Sequence, residues 1–215
     1  MKSVTTLAPL DAYRLLAQEY DSSPNPLLVL EQRMMTPLLP ALCGTTVVDV
    51  AAGTGRWSNY CRTQGARTVA VDFCREMLAM APPCAVLADA SQLPVRNDCA
   101  DVVICAFALG YASGCLPELA RITRKRGVVL VSDVHPEAIE RGWTRTFHHG
   151  QGEIGIEHER YALEDLSTPG LRLDCLIEPR LGERERDVFA QAGKLAAFEE
   201  AARHPAIFVA RWVKE

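Results

Sequence analysis

Asp49, Asp72 and Asp89 each close a short apolar run, in TTVVDVAAGTGRWS, TVAVDF and AVLADAS, and Gly53 and Gly55 follow the first almost at once. A carboxylate accepts hydrogen bonds on two oxygens side by side, which suits the paired hydroxyls of a ribose. Glycines permit unusual backbone angles and leave room for a ligand against the main chain. The loss of side-chain bulk from Ala51 through Gly55, directly after an acid-terminated apolar run, therefore points to a nucleotide-like group lying on that turn. Asp72 stands 23 residues after Asp49, which places an acid after a second strand where a ribose would be held, with Phe73 beside the adenine. One such aspartate alone serves equally well as a helix cap or turn residue. Three at successive strand ends make a site.

For these acids to meet, their strands must lie side by side and run the same way. The pattern predicts strands at 46–50, 67–72, 84–88, 101–106 and 127–132, alternating with helices at 56–64, 75–80 and 115–124. The strands are Val-rich on both faces, as central parallel strands covered by helices must be. The expected fold is a doubly wound, Rossmann-like α/β sheet. Upstream, Asp11 can cap a helix reaching Tyr20, and Pro26 can open another running to Met35. After Val134 the alternation changes: residues 143–161 read as a hairpin turning at GQGE. A helix near 162–168, a strand 171–178, a helical stretch 183–203 and a last strand, IFVARWV, follow. The short return before that strand predicts an antiparallel strand at the sheet edge. We expect one domain over 1–215, with 1–40 as a helical cap and 134–161 as an inserted hairpin.

A chain of 215 residues, 48% hydrophobic, can bury one sizeable core. A net charge of -4 argues against nucleic acid and anionic membranes as partners. The basic run RITRKRG reads as a solvated turn at a helix end. The eight cysteines contain no Cys-x-x-Cys pair and read as buried small hydrophobes in a reducing compartment. With neither a signal peptide nor a bilayer-length apolar run, a cytoplasmic protein is expected, monomeric or homodimeric. The histidine spacing matches no zinc site, and no metal is expected. A nicotinamide enzyme is disfavoured because Ser58 stands where its fingerprint requires a third glycine.

DVAAGTGRW, VAVDFCREML, LADASQLPVRNDCADVVICAFAL and RGVVLVSDVHP together resemble the successive motifs of class I S-adenosylmethionine-dependent methyltransferases, and most resemble the small-molecule, type 11 or ubiquinone/menaquinone-biosynthesis-like group. The resemblance spans residues 46–136 and implies S-adenosylmethionine as cofactor. It places Asp49, Ala51, Gly53, Thr54 and Gly55 in the first motif, with Ala51 departing from the usual glycine; an alanine there tolerates a negative φ and leaves less room for a contact. It implies Asp72 on the ribose, Phe73 and Met77 on the adenine, Asp89 on the adenine amino group with Ala90 beside it, and Phe107 near the methionine portion. Tyr20 and Tyr13 would close over the methionine end. The base-methylating motif Asn/Asp-Pro-Pro-aromatic is absent after the fourth strand, and Pro82-Pro83-Cys84 precedes the third strand instead of following the fourth, so Cys84 is read as structural.

On the substrate side, four of the five histidines fall between 135 and 158. His135 follows Asp133 off the fifth strand and precedes Pro136, which favours extended chain there. It is the expected substrate-side residue and base, with Trp143, Arg145, Phe147 and His148 as walls and Tyr13 opposite. The expected activity is methylation of a small-molecule acceptor. The alternatives are a binding module that holds the cofactor without turnover and, more remotely, a nicotinamide-dependent oxidoreductase.

Overall fold

The computed structural model describes residues 4–112, 114–150 and 152–215. From the N-terminus, β1 (Val4–Leu7), α1 (Pro9–Leu16) and α2 (Pro26–Met35) precede the first core strand, β2 (Thr46–Val50). There follow α3 (Arg56–Thr63), β3 (Arg67–Asp72), α4 (Arg75–Leu78), β4 (Ala85–Leu87), β5 (Ala100–Ala106), α5 (Leu116–Ile122) and β6 (Thr123–Val134). The rest comprises α6 (Pro136–Glu140), β7 (Thr146–His149), β8 (Gly152–Ile156), β9 (Leu171–Ile177), α7 (Glu183–Gln191), α8 (Phe198–Ala201) and β10 (Ile207–Lys214).

Seven strands form the central sheet in the order β4-β3-β2-β5-β6-β10-β9. The first five pair in parallel, and β10 runs antiparallel to both β6 and β9. This is the expected Rossmann-like sheet with one correction: β10 is internal and β9 is the edge. The apolar strand IFVARWV is buried along most of its length, whereas β9 alternates with charged residues, so the strand better suited to water takes the outer place.

Because side chains alternate across a strand, the sheet carries two cores. Val48, Val50, Val103, Val129 and Phe208 pack with Leu116, Leu119 and Ile122 of α5 on one face. Val47, Ile104, Leu130 and Val209 pack on the other with Leu30 and Met35 of α2, Trp57 and Cys61 of α3, and Phe189 and Phe198 of the C-terminal helices. Each fully buried Val or Leu contributes about 1.5–3 kcal/mol. At the N-terminus, Asn25 caps α2 by accepting from the Leu27 N–H at 3.0 Å, and Pro26 pre-sets its first turn.

Four local expectations are corrected. The basic run at 123–127 belongs to β6, with a register slip against β5 and Arg126 at φ 62°. The stretch 183–203 breaks after α7 because Gly193 takes φ 68° and ends the helix. Residues 162–168 hold only a 3-10 turn at Leu163–Asp165, since Pro169 excludes helical backbone just before it. The cysteines are all free, but only Cys61, Cys74, Cys105 and Cys115 are buried, and Cys43 and Cys84 are exposed. Gln151, in the predicted turn between β7 and β8, lies outside the described residues, as does the Met-Lys-Ser start of the segment read for a signal peptide. β7 and β8 pair antiparallel as expected, and β1 unexpectedly joins β8 in parallel to make a second, three-stranded sheet. Among the described residues no helix is long and apolar enough to cross a membrane.

Candidate functional site

At the carboxyl end of β2 the chain turns through Ala51 at φ 53°, Gly53 at φ 57° and Gly55 at φ 79°. Ala51 thus adopts the left-handed conformation that L-residues avoid, not the negative φ that an alanine tolerates. Gly55 forms the N-cap of α3, and a Cβ there would lie 2.4 Å from Pro82 Cδ. Its requirement is packing, and it does not line the cleft. Gly53 does; a Cβ on it would press on Met77 Cε at 3.1 Å.

The three aspartates are held by local donors. Asp49 Oδ2 accepts from the Ser58 N–H at 2.8 Å and the Ser58 hydroxyl at 2.9 Å, tying β2 to the first turn of α3. Burial pushes its carboxyl up to about 6 despite those bonds. Asp72 accepts from the Gly53 N–H and the Cys74 N–H, both at 2.8 Å, one on each oxygen. Burial raises its carboxyl too. Asp89 Oδ1 accepts from the N–H and hydroxyl of Ser91, both at 2.7 Å, which hold its carboxyl below the usual range.

These acids face a narrow cleft of about 110 Å³ beyond the strand ends. Asp49, Ala51, Gly53, Thr54, Asp72 and Phe73 line it from the first two strand ends. Met77, Asp89, Ala90, Phe107 and Tyr20 line it from farther along the chain. Of the residues expected at the cofactor, Gly55 alone stands back. The lining fits an adenosyl sulfonium. Each Asp72 oxygen keeps a lone pair after its backbone bond, Phe73 presents a 38% exposed ring, and Ala51, Gly53 and Ala90 leave the floor low. The cleft also holds Arg56, whose Nη1 is buried without a partner.

A larger chamber of about 760 Å³ shares Tyr13, Tyr20 and Phe107 with the cleft as common walls. Its apolar lining comes from distant segments: Leu27 and Leu28 of α2, Ile139 of α6, Trp143 and Phe147 of the insert, Phe189 of α7. At the boundary the Arg145 guanidinium pairs with the buried Asp133 carboxylate and donates to the Phe107 carbonyl. It also lies 4.7 Å from the centre of the Tyr111 ring. Burial opposes the charge on Arg145, but the Asp133 carboxylate together with the neighbouring Tyr111 and Tyr13 hydroxyls outweighs it and holds the guanidinium's pKa above its ordinary value. Tyr13 donates to the Tyr111 hydroxyl at 3.4 Å, and Tyr161 donates to the Val134 carbonyl. Burial raises the Tyr20, Tyr111 and Tyr161 hydroxyls, keeping them protonated.

Of the residues expected at the acceptor, Tyr13, Trp143, Arg145 and Phe147 line the chamber, and His135 and His148 do not. The His135 ring has another task. Its Nδ1 accepts from the Glu137 N–H at 3.1 Å, capping α6, and its Nε2 meets Glu178 at 2.8 Å. Pro136 stands at the first turn of that helix. His148 is exposed on β7, where alternation sends Phe147 inward instead. The histidines that do line the chamber are His158 and His204.

Sequence reasoning expected the N-terminal helices over the pocket, where Leu27 and Leu28 of α2 do stand, but missed Arg56, Tyr111 and Glu31. Glu31 is 0% exposed and accepts from Arg56, Trp57 and Ser132. A single acid inside the apolar run LLVLEQRMM was the available signal, since a carboxylate on a buried helix face needs partners.

The parallel sheet, the glycine turn and the row of acids give the arrangement implied by the resemblance to class I, S-adenosylmethionine-dependent methyltransferases. A family model described as a methyltransferase domain matches residues 48–131, less than half of the chain. A malonyl-[acyl-carrier protein] O-methyltransferase of Pectobacterium atrosepticum is 32% identical over 119 residues, 50% of this chain and 47% of that protein. A demethylmenaquinone methyltransferase of Mycobacterium marinum is 38% identical over 96 residues, 42% of each chain. The chain thus spans about half the length of the curated relatives it matches. The crystal structure of an S-adenosylmethionine dependent methyltransferase from Mesorhizobium loti superposes with a TM-score of 0.65 at 19% identity, over 86% of this chain and 97% of that one, a likeness of fold.

Proposed function

We propose that the chain transfers a methyl group from S-adenosylmethionine to an apolar small-molecule acceptor by in-line displacement. The observation that carries this reading is the shared wall: Tyr13, Tyr20 and Phe107 line both the acid-edged cleft and the apolar chamber, so a molecule in one can face a molecule in the other. The cofactor, when bound, supplies an electrophilic methyl on a leaving group that departs as a neutral thioether. Asp72 accepts from the ribose hydroxyls, Phe73 and Met77 flank the adenine, and Asp89 accepts from its amino group. Phe107, at φ 56°, sets the gap between cleft and chamber. Alignment of the two reactants is the main contribution, worth roughly 7–11 kcal/mol in favourable systems.

Little in the chamber serves as a strong base. Asp133 is committed to Arg145, and burial holds the Tyr20 and Tyr161 hydroxyls protonated. An acceptor that is already ionised or readily enolised fits this lining better than an alcohol needing deprotonation. Where a proton must leave, His158 and His204 stand in place of His135. The named relatives are a malonyl-[acyl-carrier protein] O-methyltransferase and a demethylmenaquinone methyltransferase.

The test is acceptor-dependent formation of S-adenosylhomocysteine, screened with apolar carboxylic acids and hydroquinones. Thr144→Trp, at an exposed position on the chamber lining, is expected to raise KM for the acceptor at least tenfold while cofactor affinity stays within twofold. Cofactor binding without turnover on any such acceptor would favour the binding-module reading instead.

A further inference from the structure

We infer that Arg56 anchors the carboxylate of the cofactor's methionine end. This rests on the reading of the cleft as an adenosyl sulfonium site. The strand order is β4-β3-β2-β5, with neighbouring strands about 4.8 Å apart. Asp89 follows β4, Asp72 ends β3, and Arg56 opens the helix directly after β2. A ligand whose adenine lies at Asp89 and whose ribose lies at Asp72 therefore reaches the β2 turn with its amino-acid end, one strand farther on. Arg56 lines the cleft at that place, with Thr54 and Tyr20 beside it.

The guanidinium is half used. Nη2 donates to Glu31 Oε2 at 2.7 Å, while Nη1 is the one buried side-chain N or O atom without a hydrogen-bond partner among the described residues. Glu31 does not supply the missing bond, because its other oxygen already accepts from Trp57 Nε1 and the Ser132 hydroxyl, both at 2.9 Å. Buried donors are nearly always satisfied, and an exception in a native fold calls for a partner or a role. Arginine offers a planar fork matched to a carboxylate. It also stands as the first residue of α3, where the helix dipole favours an anion. Glu31 is then a positioning residue: it fixes one arm of the fork so that the other stays toward the cleft.

The experiment compares the calorimetric affinity of S-adenosylmethionine with that of its decarboxylated form, which keeps the adenosyl, sulfonium and amine. The wild-type protein is expected to favour the full cofactor by about 10- to 100-fold, the size of a charge-assisted hydrogen bond. Arg56→Gln should bring the two ligands within about threefold of each other while leaving the decarboxylated form within threefold of its wild-type affinity. The paired variant Glu31→Gln with Arg56→Gln, which leaves no buried carboxylate without its cation, should show the same loss of discrimination and guards against a folding defect. Equal wild-type affinity for both ligands, or discrimination that survives in the paired variant, would overturn the assignment while leaving the cleft reading intact. Failure of wild-type protein to bind either ligand would bring down the cleft reading and this inference together.

Discussion

Around the cleft, Asp49, Asp72 and Asp89 each accept a backbone N–H, from Ser58, from Gly53 and Cys74, and from Ser91. Around the chamber, apolar side chains arrive from α1, α2, α6, the insert and the C-terminal helices, and one buried ion pair, Asp133 with Arg145, supplies the fixed charge. The first region is specified by main-chain geometry over a few residues. The second is specified by which surfaces happen to converge. Chemistry common to many enzymes can sit in the first, while the acceptor is chosen in the second.

The comparison breaks if either side fails to behave this way. Asp72→Ala removes the carboxylate that accepts from the Gly53 and Cys74 N–H groups, and with it the ribose contact. It should weaken S-adenosylmethionine binding by at least about 100-fold, roughly 3 kcal/mol, in calorimetry; an unchanged affinity would count heavily against a main-chain-built cleft.

Asp49 sharpens it through pH. Its carboxyl stands near 6 in the fold against an ordinary value of 3.8, so the folded state holds the extra proton between those limits. Stability contributed by this group therefore falls as pH rises from about 4 to 6, by at most about 3 kcal/mol. In chemical denaturation at pH 4 and pH 7, the wild-type protein should show that loss relative to Asp49→Asn, and parallel profiles would refute the assignment.

Glu31→Gln leaves Arg56 without its counter-charge and should cost about 2 kcal/mol in the same assay, less than a fully buried pair because Arg56 keeps some exposure. On the chamber side, Trp143→Ala should leave cofactor affinity within twofold while removing fluorescence quenching by apolar ligands. The smallest effect belongs to His135→Asn. Asparagine also caps helices, so stability should change by less than about 1 kcal/mol and turnover by less than twofold; a hundredfold drop in turnover would restore the histidine as a base.

This asymmetry explains what the sequence disclosed. The strands, the glycine turn and the acids are local patterns whose meaning does not depend on distant packing, and Asp72 and Phe73 could be placed from their neighbours alone. Strand order at the β6 side was not local, so β10 was expected one place too far out. His135 was misplaced for the same reason: its chain position beside the site was legible, but a Pro136-led helix claimed its ring for capping. Leu27, Leu28 and Phe189 look like ordinary helix-face residues until the layers come together. Arg56 was visible in GTGR, yet only Glu31, two elements away, shows that half of its fork stays free.

The pairing of β1 with β8 joins residues 4–7 to residues 153–156, and β8 supplies Ile156 to the chamber lining. That wall is thus a clasp between chain segments separated by most of the chain's length, whose pairing carries the entropy of closing a long loop. Hydrogen exchange should find the β1 and β8 amides opening well before those of β2 and β5, giving a bulky guest a way in that leaves the central sheet undisturbed.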